Sequence, residues 1–440
     1  MELVNLLKNA GIVGAGGAGF PSYAKIAEGA DTLLVNGSEC EPLLYTDYTI
    51  LKNEISLVLN GIKTVLSGTS IKKAVLAIKE HTAKRLSFSD GERLADAVSI
   101  KVLPDAYPIG DEISLIYQAL GRSVKPGALP ISVGVIVYNV ETMYNLGVAE
   151  KFGTPVTKKW LTVGGDIERP LVIRVAIGTP VSHIFRQLNI EVDDEHTVLD
   201  GGPSMGKVIN PSVATVGKTT KAILILPSDI PAVKSKLTDS RLAVSRAETA
   251  CCQCTRCTDM CPRNLLGYPL EPHKMVRTAM APIKAEPVMV LSATLCCGCG
   301  ICETLACSQG ISPKTVINNY KQILAKSKLK YTNSNEISPK REREYRMVSS
   351  EKWKSSLGVS RFDIVPEYFG DIETDRVVIQ MRSHIGAPSV PTVNDGKTAF
   401  VGELIAEAGA GLSVPQHASI DGVVSVYEDK ITIDKVSHNV

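Results

Sequence analysis

The sequence is poor in aromatics, in net charge and in long apolar runs. Phe, Trp and Tyr make up 5% of its 440 residues, too few for the stacking platform on which single-stranded nucleic acid is bound. Lys and Arg outnumber Asp and Glu by only 48 to 46, a formal net charge of +2. That leaves no electrostatic case for a nucleic-acid or anionic-membrane partner. No apolar stretch approaches the roughly 18 residues that a membrane-spanning helix needs. The first residues, MELVNLLKNAG, have no basic segment ahead of an apolar core and no cleavage-like site, so no secretory signal is expected. Together these absences predict a soluble cytosolic protein. A hydrophobic content of 44% and a charged content of 21% are those of an ordinary globular chain. The length allows about three or four domains.

What the chain does have is cysteine, unevenly spread. Ten of the 11 cysteines lie within residues 251–261 and 296–307. Clusters of this kind in a long chain without a secretory signal point to metal or redox chemistry rather than a disulfide framework. Cys251, Cys254, Cys257 and Cys261 have the spacing C-x2-C-x2-C-x3-C and are followed by Pro262, the bacterial ferredoxin run for a [4Fe–4S] cluster. Cys296, Cys299, Cys302 and Cys307 repeat it with four residues before the last cysteine and no proline after it. Short turns bring three thiolates onto one cube. The fourth points away and, in two-cluster ferredoxins, serves the other cube. The crossed sets are then Cys251, Cys254, Cys257 and Cys307 for one cluster, and Cys296, Cys299, Cys302 and Cys261 for the other. A pair of zinc sites is the competing reading. Zinc knuckles use pairs of C-x2-C and need no third cysteine, so a triple repeat occurring twice favours two [4Fe–4S] clusters. Cys252 and Cys297 are left over and read as small buried fillers. Cys40 stands alone and reads as structural, with a redox role as the alternative.

Around the cysteines the pattern is that of an α/β multidomain protein. In residues 1–150, DTLLVNG and ISVGVIVYNV read as buried strands, and YTDYTILKNEISLVLNGIKTVL and GDEISLIYQALG carry helical periodicity. Residues 155–228 are short strands broken by Gly and Pro around one short helix, a β-grasp-like unit. Residues 240–330 read as a helical, ferredoxin-like domain, and the polar, basic stretch within 331–375 as a solvated connector. Residues 376–440 form two similar blocks of short strands, which suggests a barrel-sandwich, lipoyl-like β domain. Its turns, VNDGKT and SIDGVV, lack the M-K-M or D-K-A centre of a lipoyl or biotinyl lysine. Docking is therefore expected of it, not carriage of a prosthetic group. His384 and His417 read as turn residues there.

The loop GIVGAGGAGFPSYAK contains Gly14-x-Gly16-x-x-Gly19. A dinucleotide fingerprint needs a strand before it and a helix after it, with an acid about 20 residues on. Here a helical pattern precedes the loop, while Glu39 follows the strand TLLVNG at the position of a ribose-binding acid. Phosphate binding by backbone amides is one reading and an ordinary tight turn is the other.

In chain order, GAGGAGFPSYAK, NGSECEP, AYPIGDE and YNVETM resemble the flavin- and NADH-binding stretches of the flavin subunit of respiratory complex I. With the SLBB-like stretch LTVGGDIERPLVIRVAIGTPV…LDGGPSMG and the two ferredoxin runs, nearly the whole chain resembles the RnfC-like electron-transfer family. The block HIGAPSVPTVNDGKTAFVGELIAE is N-terminal in RnfC and C-terminal here. That order is similar to the cobalamin reductases of propanediol-utilisation bacterial microcompartments.

The resemblance implies an FMN/NADH domain, an SLBB domain, a two-cluster domain and a barrel-sandwich domain, with noncovalent FMN, NADH and two [4Fe–4S] clusters. Carried over residue by residue, Gly14, Gly16, Gly17 and Gly19 would face the FMN phosphate and NADH. Lys25 would be the basic residue of that loop, and Phe20 would stack on adenine. Asn36, Ser38, Glu39 and Glu41 match the acidic stretch beside the isoalloxazine, with Ser38 standing for an Asp. Tyr107, Gly110, Asp111 and Glu112 match the next segment, with Asp111 for a Glu. Asn139 and Thr142 match the last, with Tyr138 where an Asn would be. Glu41 and Glu112 are the implied catalytic carboxylates. The implied function is an NADH-dependent cobalamin reductase, an oxidoreductase of the bacterial cytoplasm inside a microcompartment. Cobalamin would be its acceptor, with an adenosyltransferase and a shell protein as partners. The alternative is an RnfC-like relay protein that hands electrons to a partner complex. Asp194-x-His196 begins the corrin-binding pattern D-x-H-x-x-G, but Leu199 stands at the glycine, and His196 reads as a loop histidine.

Two cubes require about eight irons per chain. Metal analysis of anaerobically purified protein checks this; about one zinc per cysteine run would overturn the cluster reading.

Overall fold

The computed structural model describes residues 2–280, 287–332 and 335–436. Its N-terminal unit is a five-stranded sheet in the order Arg93–Ala95, Val98–Leu103, Lys73–Lys79, Thr32–Asn36, Val135–Asn139. All neighbours are parallel except the Arg93–Ala95 edge. Of the two strands predicted as buried, Thr32–Asn36 lies next to the central strand and Val135–Asn139 forms the edge, and their apolar, β-branched runs suit a sheet covered on both faces. Helices Thr46–Ser67 and Val140–Phe152 cover one face. Glu112–Leu120 joins a second apolar cluster that includes Leu34, Val135 and Val137. From Thr32–Asn36 the chain moves first to one side of that strand and later to the other. The strand ends at Asn36 and Asn139, paired in register, therefore form the switch point at which open α/β sheets bind ligands.

The two helices on the first face touch through glycine. A Cβ on Gly61 would lie 2.0 Å from the Met143 carbonyl oxygen, and one on Gly147 would lie 2.0 Å from that of Leu57. This close approach fixes Asn139, which caps the second helix by accepting from the Glu141 amide at 3.0 Å.

A six-stranded sheet follows, in the order Lys207–Val208, His196–Asp200, Ala222–Pro227, Lys158–Gly165, Leu171–Ala176, Glu367–Ile372. Its parallel central pair, flanking hairpin and helix Val181–Gln187 make the β-grasp-like unit. Its sixth strand comes from the stretch read as a connector, which corrects the expectation of a solvated segment. Glu367–Ile372 pairs with Leu171–Ala176. Val348–Ser349 pairs with Ala106–Tyr107. Trp353 is fully buried and stacks on Tyr107 with ring centroids 4.6 Å apart. One large aromatic buries enough apolar area to override a polar neighbourhood.

Helices Ser240–Ala250, Pro272–Met280 and Pro313–Lys326 pack together around the cysteine runs. The last unit is a pair of small antiparallel sheets around Val377, Ile379, Ile405, Val424, Ile431 and Ile433. It does dock, and on this chain itself. The Ile385 amide donates to the Gly19 carbonyl at 3.2 Å, and Val378 donates to Gly178 at 2.8 Å. Buried Lys218 donates to the carbonyls of Gly11 and Pro415 at 2.9 and 3.0 Å. His384 lies outside the strands, whereas His417 is buried within strand Gln416–His417 and is no turn residue. Among the described residues no helix is long and apolar enough to cross a membrane.

Gly61→Ala and Gly147→Ala each force a methyl group into a backbone carbonyl. Each is expected to destabilise the protein by about 1–3 kcal/mol or more, seen as a lower urea midpoint. An unchanged midpoint in either variant would show that the helices can separate freely.

Candidate functional site

A cavity of about 380 Å³ opens at the ends of Thr32–Asn36 and Val135–Asn139. That is within the range of about 300–1,000 Å³ usual for cofactor sites. Of the residues singled out in the sequence, Gly14, Gly16, Gly17, Gly19, Phe20, Lys25, Asn36, Glu39, Glu41, Tyr107, Gly110, Asp111, Glu112 and Asn139 line it. Ser38 and Thr142 do not. Ser38 is buried behind Asn36 and donates to its Oδ1 at 2.6 Å. Thr142 is buried under the glycine loop, where its Oγ1 accepts from the Ala15 amide at 3.1 Å. Both act on the cavity through a neighbour.

The glycines face different constraints. Space beside Gly17 is empty, while a Cβ on Gly16 would press on the Asn139 side chain at 2.9 Å. At Gly110 a Cβ would lie 2.5 Å from Ser38 Oγ. Lys25 Nζ donates to Glu112 at 2.9 Å and to the Val137 carbonyl at 3.0 Å, which sets a fixed cation at the cavity wall. Asn36 Nδ2 donates to the Gly110 carbonyl at 3.0 Å, and Asn139 Nδ2 donates to the Asn36 carbonyl at 3.2 Å and to Asp47 at 2.7 Å. An open glycine loop, a cation and amides at the strand ends suit a phosphorylated planar cofactor. The residues therefore fit FMN.

Glu39 is not free to bind a ribose in the way its spacing suggests. Its carboxylate caps helix Thr46–Ser67, accepting from Thr46 Oγ1 at 2.9 Å and from the amides of Asp47 and Tyr48 at 3.0 and 3.2 Å. Burial pushes its pKa up to about 7, helped by the charge of Asp47 and opposed by Lys221. Burial likewise raises Glu41, which accepts from the Ser204 amide at 2.8 Å. Glu112 is committed to Lys25. Asp111 caps helix Glu112–Leu120 and pairs with Arg263 at 2.7 Å, joining the flavin-type domain to the cysteine domain.

Several lining residues escaped the sequence reading. Lys221 and Met205 come from the β-grasp-like unit, and Asp47 from the helix start. Lys221 is buried and pairs with Asp47 at 2.5 Å and Glu141 at 3.2 Å. Nothing in its sequence context, KTTKAILIL, marks it. Cys297 and Cys299 also line this cavity.

The cysteines ring two voids. Cys251, Cys254, Cys257 and Cys307 line the first, and Cys261, Cys296, Cys299 and Cys302 the second. These are the two crossed sets. Among the described residues no three His, Cys, Asp or Glu groups converge as the ligands of a single metal ion would. A cube instead takes one thiolate on each iron, and a ring of four thiols around each void fits that need. Cys297 also lines the second void. Cys252 lines the first and is exposed, so it is no buried filler. The Cys40 Sγ accepts from the Gly110 amide at 2.8 Å, a bracing contact. His196 spends both ring nitrogens on carboxylates, Asp193 at 2.6 Å and Asp166 at 3.4 Å, as a loop histidine does.

Known families match in three places. Residues 7–148 match the Nuo51 FMN-binding domain, 250–312 the 4Fe-4S dicluster domain and 372–438 the RnfC barrel sandwich hybrid domain. The chain is 36% identical over 431 residues to the cobalamin reductase PduS of Citrobacter freundii, covering 97% of this chain and 95% of that protein. It is 37% identical over 436 residues to that of Salmonella typhimurium, covering 98% and 96%. To a component of the ion-translocating oxidoreductase complex of Rhodobacter capsulatus it is 31% identical over 277 residues, covering 61% and 51%.

Glu39 supplies a pH test. Its folded pKa is raised from 4.5 to about 7, so between these values the native state holds a proton that the unfolded chain has lost. Its contribution to stability is therefore lost as pH rises through that window. Glu39→Gln, which does not titrate, should show a flatter urea midpoint across the window than the wild type. Parallel profiles would refute the assignment.

Proposed function

The chain belongs to the PduS family of cobalamin reductases, and from that premise we propose that it takes electrons from NADH to cobalamin through FMN and two [4Fe–4S] clusters. When bound, FMN would supply the exchange between a hydride's electron pair and single electrons, and the [4Fe–4S] clusters would supply one-electron carriage. The chain itself supplies position and electrostatics. Gly17 leaves backbone open to a phosphate, and Lys25, held by Glu112, adds a cation. Asn36 and Asn139 brace one another at the strand ends and offer fixed polar edges to a ring. Phe20 offers a face for a nucleobase. Glu39 and Glu41, both shifted upward by burial, can hold a proton beside that ring. Cys251, Cys254, Cys257 and Cys307 would hold one cluster, and Cys261, Cys296, Cys299 and Cys302 the other.

The observation that carries the reading is a shared wall. Cys297 and Cys299 line both the FMN-type cavity and the second thiol-lined void. Nothing thicker than a short loop separates the two, as single-electron transfer between them requires. The first void lies further out, with Cys252 and Cys254 exposed. The family premise supports an adenosyltransferase as the consumer of reduced cobalamin, and a shell protein of a bacterial microcompartment as a neighbour. The relative from the ion-translocating complex favours a second reading, a relay to a partner complex.

Cys254→Ala separates the half-reactions. NADH should still bleach the flavin, because that step needs only the N-terminal unit. Reduction of Co(II) to Co(I), trapped as adenosylcobalamin with an adenosyltransferase and ATP, should fail. Normal adenosylcobalamin formation in this variant would mean that the clusters are bypassed. A wild type that bleaches with NADH yet never reduces cobalamin would favour the relay.

A further inference from the structure

We propose that Arg263, set in a buried ion pair with Asp111, raises the reduction potential of the inner cluster and so draws electrons from the flavin-type cavity. This rests on the reading above, in which Cys261, Cys296, Cys299 and Cys302 hold that cluster. The ion pair spans the wall between the two spaces. Asp111 lines the flavin-type cavity, and Arg263 lines the second thiol-lined void. Their side chains meet at 2.7 Å and are only 14% and 11% exposed. A buried pair keeps the field that water and salt screen at a surface. Its negative end stands at the cavity and its positive end at the void, so its dipole favours an electron on the void side.

Arg263 is held for this task. It follows Cys261 and Pro262 directly, so a local turn sets it beside a thiol of the second set. The Tyr268 ring lies 5.3 Å from the guanidinium and fixes its plane. Nη2 is spent on Asp111. The guanidinium also faces the Cys297 thiol, a weak acceptor. Nε is buried and makes no hydrogen bond among the described residues. Buried donors are almost always paired, and the sulfurs of a cluster in the void are acceptors within the reach of a residue that lines it. Reduction adds one electron, hence one negative charge, to the cube and its thiolates. A donor and a cation on the wall stabilise that state more than the oxidised one, because hydrogen bonds to sulfur and local charge set these potentials. Lys321 reinforces the same wall, its Nζ donating to the Cys296 carbonyl at 2.9 Å. Lys314 also lines the void, but Glu303 offsets it at 3.8 Å.

The test is a redox titration of the full-length, anaerobically purified protein, followed by the electron paramagnetic resonance of its reduced clusters. The Cys254→Ala background, whose outer cluster lacks a ligand, assigns the two signals. Arg263→Met/Asp111→Asn removes both charges, so neither is left bare and buried. Its inner cluster should be harder to reduce, by about tenfold in the reduced-to-oxidised ratio at a fixed potential, or about 59 mV for one electron. The outer cluster should titrate as in the wild type, since Arg263 lines the second void and not the first. Two conservative single variants carry the same test if the double variant fails to fold, with opposite expected signs. Arg263→Lys keeps a cation but loses the Nε donor, so its inner cluster should be harder to reduce. Asp111→Asn keeps the donor and removes the opposing charge, so its inner cluster should be easier to reduce. An unmoved inner-cluster potential in these variants overturns the proposal. So does an equal shift of both clusters, which would mark a general loosening of the fold. Iron content keeps the two ideas apart. A wild type far short of about eight irons, with one cluster signal, fails the cluster reading. Two intact clusters whose potentials ignore Arg263 and Asp111 fail only this inference.

Discussion

Tyr107 is the point at which four segments of this chain meet. Its ring stacks on Trp353 at 4.6 Å, and its hydroxyl donates to the Cys299 carbonyl at 2.7 Å. Its backbone pairs with Val348. Trp353 in turn donates from Nε1 to Ser204 Oγ at 3.0 Å, next to the Ser204 amide that holds Glu41. The flavin-type sheet, the β-grasp-like unit, the second cysteine run and the returning connector are thus tied through one buried aromatic pair. A buried tyrosine must keep its hydroxyl paired. The Cys299 carbonyl is therefore held against the cavity wall by more than loop packing.

A second constraint is electrostatic. Lys159, Lys221, Asp47 and Glu141 are buried together between the first two units. Such a cluster adds little net stability over an apolar seam, but removing one member leaves a bare buried charge and costs about 3–5 kcal/mol. It therefore enforces one relative placement of the two units, with Lys221 facing into the cavity. Burial pulls Lys159 down to about 8, against the pull of Glu141, the signature of a charge held dry. Lys218, with two carbonyl partners and, among the described residues, no carboxylate, is pulled down by burial to about 7 where the tail unit meets the glycine loop.

Much of the site was readable because its parts are local. The glycine loop, NGSECEP, AYPIGDE and YNVETM are short, and strand ends and helix caps carry their residues to one place by elementary α/β geometry. Both cysteine runs were readable for the same reason, since thiol spacing along a turn is a local property. Errors arose where a side chain's task depended on distant neighbours. Glu39 sits at a ribose-binding spacing but caps a helix. Ser38 and Thr142 lie in matching motifs but stand behind the residues that line the cavity. Cys252 was read as buried from its type and is exposed. The polar stretch before Trp353 concealed a core residue and a sheet strand, because composition averages over the one side chain that decides the burial.

Residue identity and spacing alone set the chemistry on offer: eight cysteines in two ferredoxin-like runs, a glycine loop ahead of an acidic stretch, and the order of the units. They suffice for that because ligand type and turn geometry are local. Packing had to establish which cavity borders which void, that Lys221 crosses from another unit, that Cys297 and Cys299 are common to two walls, and which thiols reach solvent. These are relations between segments far apart in the chain, since Gly14 and Cys299 line one cavity. They are fixed by buried contacts and charge pairing, to which no single stretch of chain holds the key.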